Sequence, residues 1–156
     1  MTQTTNFTHE GSERRESGRD ISDASPSEGG CLCGSVRYRF IGTPKSVSIC
    51  HCQSCRLASG APSVSWLVVS RSRFMLSGEL STFQSSAHVL RSFCIRCGTP
   101  VSYEHQDAPN EIELTTATLC KLERFPPWRE IWLSEKLPWV TANPDLEHFQ
   151  RESQQG

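Results

Sequence analysis

Several things are missing from this sequence, and each absence excludes a class of protein. No apolar run approaches the ~18 residues of a membrane-spanning helix, and no long segment keeps apolar residues on a 3.6-residue period, so neither a membrane span nor a long packed helix is expected. There is no internal repeat, which excludes a solenoid. The N-terminus has no basic stretch followed by an apolar one; no export leader is therefore expected, and a reducing, cytoplasmic setting is. Net charge is nearly absent: 16 Lys and Arg stand against 17 Asp and Glu, a formal −1, which argues against a nucleic-acid partner.

Cysteine, in contrast, is abundant. The 156 residues carry eight, in a chain with material for one domain and not two. Seven of them lie between positions 31 and 97. Over residues 31–100, eight bases (Arg37, Arg39, Lys45, Arg56, Arg71, Arg73, Arg91, Arg96) accompany a single acid, Glu79, whereas residues 101–149 hold four bases and nine acids. Metal-bound thiolates are negative, so arginines in the cysteine-rich half would offset that charge or attract an anionic substrate.

Residues 1–28 have only Met1, Phe7 and Ile21 as sizeable apolar side chains, too few to offset chain entropy, and residues 150–156 are similar. Both ends are read as disordered tails around a folded unit at 29–149. Within it Val36, Tyr38 and Phe40 alternate with Ser35, Arg37 and Arg39, a period of two that buries the aromatics on one face of a strand. Further strands are expected at 63–69, 73–76, 88–93, 101–103, 112–119 and 131–133, with turns at Gly42-Thr43-Pro44 and Ser77-Gly78. Helix is confined to short turns, after Cys55 and at 144–149. The fold class is mainly β and antiparallel, with Trp66, Trp132 and Trp139 assigned to the core.

The cysteines form three groups: Cys31 and Cys33; Cys50, Cys52 and Cys55; Cys94 and Cys97. Cys50-His51-Cys52-Gln53-Ser54-Cys55 brings three soft donors to one bend, and a tetrahedral zinc ion takes four, so the run leaves one position open. The outer pairs each end in Cys-Gly, where glycine lets the backbone turn its amides toward sulfur. Together they make a closed four-cysteine site, although spacing alone also permits Cys31 and Cys33 to complete a site with two of the central three. Disulfides are disfavoured by the small Cys-x-Cys rings, and zinc is favoured over an iron–sulfur cluster.

The stretches at 30–38 (Gly-Cys-Leu-Cys-Gly-Ser-Val-Arg-Tyr), 50–56 (Cys-His-Cys-Gln-Ser-Cys-Arg) with 59–62 (Ser-Gly-Ala-Pro), and 93–100 (Phe-Cys-Ile-Arg-Cys-Gly-Thr-Pro) resemble the glutathione-dependent formaldehyde-activating enzyme family, the centromere protein V/GFA-like domain. The pieces at 112–119 and 136–139 agree. The resemblance spans residues 29–149 and implies a Mss4-like fold of several small antiparallel sheets. It further implies a structural zinc at Cys31, Cys33, Cys94 and Cys97, and an open, catalytic-type zinc at Cys50, Cys52 and Cys55. Two positions depart from the family pattern: Cys120 stands where many members carry a carboxylate, and Glu130 where they often carry histidine. Cys120 is read as a small, semi-buried residue without chemistry.

A zinc held by three thiolates has a formal charge of −1, which suits thiol binding better than water activation. The expected activity is that of a carbon–sulfur lyase adding glutathione or a similar thiol to formaldehyde or a related aldehyde. Its expected cofactors are two Zn(II) ions, and its partners a small thiol and an aldehyde. His51 and Arg56 are the nearest candidates for polar assistance: His51 as a proton relay or a structural residue, Arg56 as a carboxylate anchor or a counter-charge. The alternative is a zinc-stabilised β module without catalysis that binds a protein or nucleic acid.

Overall fold

Alternation along the strands decides which face of the protein each residue serves. The computed structural model describes residues 25–152; positions 1–24 and 153–156, most of the two expected tails, lie outside the described residues. The first half holds β1 (Ser27–Gly30), β2 (Arg37–Phe40), β3 (Ser46–Cys50), the helix α1 (Gln53–Ser59), β4 (Val64–Ser70) and β5 (Phe74–Ser77). The second holds β6 (Leu80–Ser86), β7 (Val89–Cys94), β8 (Pro100–His105), β9 (Glu111–Thr115), β10 (Arg129–Ile131) and β11 (Glu147–His148). Strands β1, β2 and β5 form a small antiparallel sheet, and the other eight form one larger sheet in the order β11-β10-β3-β4-β9-β8-β7-β6. The protein is mainly β.

The larger sheet buries both faces. On β4, Leu67 and Val69 join Ile112 and Leu114 of β9 and Tyr38 and Phe40 of the small sheet in one core. The alternate residues Val64 and Trp66 join Cys50, Cys55, Ile131 and Trp132 in a second core on the opposite face. On β8 the ladder to β7 shifts between Ser92 and Phe93, skipping Val101. Val101 and Ser102 are both buried as a result, and Tyr103 is re-aimed onto the second face, as a bulge does. Arg91, Tyr103 and Glu113 then fall on one rung across β7, β8 and β9.

Four expectations are corrected. The strand predicted at 112–119 stops at Thr115 and continues as a 3-10 turn, Thr116–Thr118. There Thr118 Oγ1 donates to Thr115 O at 2.8 Å, and side-chain hydroxyls of this kind compete with ladder bonds. No helix forms at 144–149. Asn143 Oδ1 instead accepts from Asp145 N at 3.0 Å in an Asx turn, and β11 follows, pairing in parallel with β10; β10 also runs parallel to β3. At the ends, β1 begins ahead of position 29, with Ser27 paired to Phe40, while the carbonyls of Gln150 and Arg151 accept from Ser134 N and Trp132 N at 3.2 and 3.0 Å. Trp139 is 71% exposed and outside both cores. Strands β3 and β6 were not anticipated; β6 is an edge strand whose mixed, half-exposed residues show no clean alternation.

Gly78, between β5 and β6, has φ of 94°, and a Cβ there would lie 2.1 Å from the Ser35 carbonyl oxygen. Gly78→Ala is expected to lower unfolding free energy by at least about 2 kcal/mol, combining left-handed strain with a backbone clash, as read by urea denaturation.

Candidate metal centres and the adjoining cleft

The outer cysteine pairs meet because two turns fold back alike. Cys31 precedes a turn closed by Gly34 N to Cys31 O at 3.0 Å, and Cys94 ends β7 before a turn closed by Gly98 N to Cys94 O at 2.9 Å. Gly34 and Gly98 take φ of 77° and 72°, as the Cys-Gly pattern requires. The sulfurs of Cys31, Cys33, Cys94 and Cys97 lie within 4.8 Å of one another. A tetrahedral ZnS₄ centre with Zn–S of about 2.3 Å has sulfur–sulfur edges of about 3.8 Å; Cys31 and Cys33 are 3.5 Å apart, Cys33 and Cys94 3.8 Å. These separations exceed any disulfide bond, and all eight cysteines are free. The donor set and its spacing fit zinc.

Cys50, Cys52 and Cys55 form a separate cluster, their sulfurs also within 4.8 Å, and among the described residues no fourth side chain joins them. Cys50 ends β3 on the face of Trp66. Cys52 is the N-cap of α1, its sulfur accepting from Cys55 N at 3.3 Å, and Cys55 lies in the first turn. A helix start of this kind favours thiolates. Within the cluster the Cys55 thiol is lowered well below the ordinary thiol range by the hydrogen bonds from Cys50 and Cys52, against burial and with help from Arg91. Three sulfurs at one bend also fit a zinc ion and leave its fourth tetrahedral position to something else.

The three-cysteine cluster opens into a cleft of about 420 Å³. Its polar wall includes the rung Arg91–Tyr103–Glu113 together with His105, Glu135 and Glu152, and its apolar wall includes Trp66 and Trp132. Arg91 is anchored through two of its three nitrogens: Nε donates to Ser85 Oγ at 3.2 Å, Nη2 reaches Ser54 Oγ at 3.2 Å and Cys55 Sγ at 3.7 Å, and the guanidinium lies over the Tyr103 ring at 4.9 Å. Glu113 is raised to about 7, first by burial and then by the Cys55 charge, with Arg91 opposing. Three thiolates and one zinc ion would also sum to −1, so a zinc ion held there would preserve the sign of the field that Cys55 exerts on Glu113. Trp132 is the one non-glycine residue with positive φ among the described residues, at 59°. Strain of this type gathers at functional sites.

Neither sequence-predicted polar candidate lines this cleft. His51 is 2% exposed; its Nε2 pairs with Glu130 Oε2 at 2.7 Å, and Glu130 Oε1 accepts from Asn143 N at 2.7 Å. Arg56 Nε donates to His51 O at 3.2 Å. Both brace the loop from behind. Cys120 is exposed, contrary to expectation, and belongs to neither cluster. Arg91 and Glu113 were not among the site residues the sequence singled out; a signal was present for Glu113, which alternates with buried Ile112 and Leu114 and so lies on the opposite face, whereas Arg91 sits between exposed Leu90 and buried Ser92 and carries no such pattern.

A sequence model of the glutathione-dependent formaldehyde-activating enzymes matches residues 26–135, well over half of the chain. The chain belongs to the glutathione-dependent formaldehyde-activating enzyme family. An uncharacterized lyase of Schizosaccharomyces pombe is 26% identical over 83 residues, 53% of this chain and 61% of the relative, so the similarity spans about three fifths of that protein's length. A crystal structure of a Rhodobacter sphaeroides protein shares the fold at a TM-score of 0.50 and 20% identity, covering 78% of this chain and 98% of the other. Among the described residues no helix is long and apolar enough to cross a membrane.

The two clusters are expected to separate on mutation. Cys97→Ser breaks the bridge between turns distant in sequence and unfolds the domain, whereas Cys52→Ser leaves a folded protein with one metal ion fewer. Metal counting together with circular-dichroism melts checks this, and equal loss of fold in both variants contradicts it.

Proposed function

We propose that the protein is a zinc-dependent carbon–sulfur lyase that adds a thiol to a small aldehyde and reverses the addition. Glutathione and formaldehyde are the first pair to test. Cys31, Cys33, Cys94 and Cys97 hold a structural zinc, and Cys50, Cys52 and Cys55 hold a second zinc at the working centre. The observation that carries the reading is the three-sulfur cluster opening into a cleft beside an anchored guanidinium. Membership of the family supports it, as does the relative named a lyase. Bound there, zinc supplies Lewis acidity that favours the thiolate form of a thiol.

In the addition, sulfur bonds to the carbonyl carbon, the C=O π pair moves to oxygen, and the thiol proton ends on that oxygen; nothing is oxidised or reduced. Arg91 has Nε and Nη2 engaged by protein partners. Nη1 is left to meet the oxygen as negative charge develops, a donor fixed before the reaction begins. Glu113, titrating near 7, accepts the thiol proton and returns it to the oxygen. His51 and Arg56 position the loop and take no part in proton transfer. Free thiols throughout fit a reducing, cytoplasmic compartment.

Exchange spectroscopy on zinc-loaded protein with formaldehyde and glutathione is expected to show adduct exchange faster than the spontaneous rate; an unchanged rate rejects that pair. Arg91→Met should cut the acceleration about a hundredfold, the scale of a lost oxyanion donor. Addition should quicken as pH rises through about 7, since Glu113 must be ionised to accept a proton, and Glu113→Gln should abolish that inflection.

A further inference from the structure

Behind Arg91 lies a second, smaller recess of about 80 Å³, bounded by α1 and strands β4, β7, β8 and β9 and partly open to solvent. Cys55, Trp66 and Arg91 line both this recess and the cleft, so the two spaces meet beside the three-cysteine cluster. Its remaining walls are mostly apolar, with Ala58, Val64, Phe93 and Pro100, although serine and threonine side chains such as Ser92 and Ser102 also reach it. Formaldehyde has no substituent and would leave such a space empty. The cleft of about 420 Å³ already gives the thiol room.

The dimensions fit a short hydrocarbon chain. A cavity of ~150 Å³ holds benzene, so a space about half that size takes two or three carbons. The recess also shares Ala58, Phe93 and Arg91 with an open groove that carries Leu57 and Phe83, which are 78% and 62% exposed. A longer chain would emerge onto that apolar surface.

We propose that the aldehyde handled here carries an aliphatic substituent, seated in the recess beside Ala58, Val64 and Phe93 while the carbonyl lies between the three-cysteine cluster and Arg91. This deepens the thiol–aldehyde reading and rests on it. The chemistry is the same balanced addition, with the substituent taking no part in bond making. What changes is the substrate class, from formaldehyde to saturated aldehydes of about three to four carbons.

The test measures adduct exchange by zinc-loaded protein with formaldehyde, acetaldehyde, propanal and butanal, each divided by its own spontaneous rate. Burial of each methylene is worth about a fourfold gain, so the acceleration is expected to climb about fourfold per carbon until the recess is full. Ala58→Leu, on the exposed side of α1, should flatten the climb, and Val64→Ala should shift the optimum to a longer chain. The inert probe n-butanol should give nuclear Overhauser contacts to the Val64 methyls. Acceleration that is present but flat or falling with chain length overturns the substituent pocket and leaves the thiol–aldehyde reading intact. A climb that neither variant alters overturns its location. Absence of acceleration with every aldehyde overturns the reading and the proposal together.

Discussion

Four sulfurs drawn within 4.8 Å of one another from turns some sixty residues apart are the constraint on which this structure depends. As thiolates they repel: unit charges 4 Å apart at an effective dielectric of 20 cost about 4 kcal/mol per pair. A cation at their centre would turn that repulsion into a crosslink, and the cluster itself is a junction. It joins the turn after β1 to the turn after β7, and so fastens the small sheet to the large one on the side where Tyr38, Phe40, Leu67 and Leu114 pack. A core of this size in a short chain gains much from such a tie.

The large sheet turns that tie to use by dividing its two faces. One is spent on holding the small sheet. The other, freed from that task, carries the cleft. Because β3, β4, β8 and β9 run side by side, residues far apart in the sequence arrive on one surface: Cys50, Trp66, Tyr103 and Glu113. The bulge at Val101 is what allows β8 to serve both faces, core before it and cleft after it. His51 and Glu130, buried behind the loop, brace β3 against β10 and connect to Asn143.

How much of this was legible in the sequence follows from the range of each interaction. The cysteine clusters were readable because their signals are local: Cys-x-Cys, Cys-x-x-Cys and the glycines that follow. Which pair joins which was left open by spacing, and the structure groups Cys31 and Cys33 with Cys94 and Cys97. Alternation gave β2, and an apolar run gave β4, each to within a residue or two. It failed for β6, an edge strand with both faces half wet, and for 144–149, where an Asx turn directs the chain into a two-residue strand. The roles of Arg91 and Glu113 were hidden because cross-strand register, and not sequence spacing, puts them on one rung. His51 was read between ligands without its partner, since Glu130 lies 79 residues away.

One sulfur serves two structures at once. Cys52 caps α1 and also belongs to the three-cysteine cluster, and α1 has only seven residues, far too few to hold a helix alone. A metal ion held by the cluster would therefore help to hold the helix, and the helix in turn forms the recess wall at Ala58. Ion occupancy and the shape of the apolar recess are linked variables: whatever the ion contributes to ordering α1 is subtracted from its apparent affinity and reappears as a preformed surface next to the place where chemistry occurs.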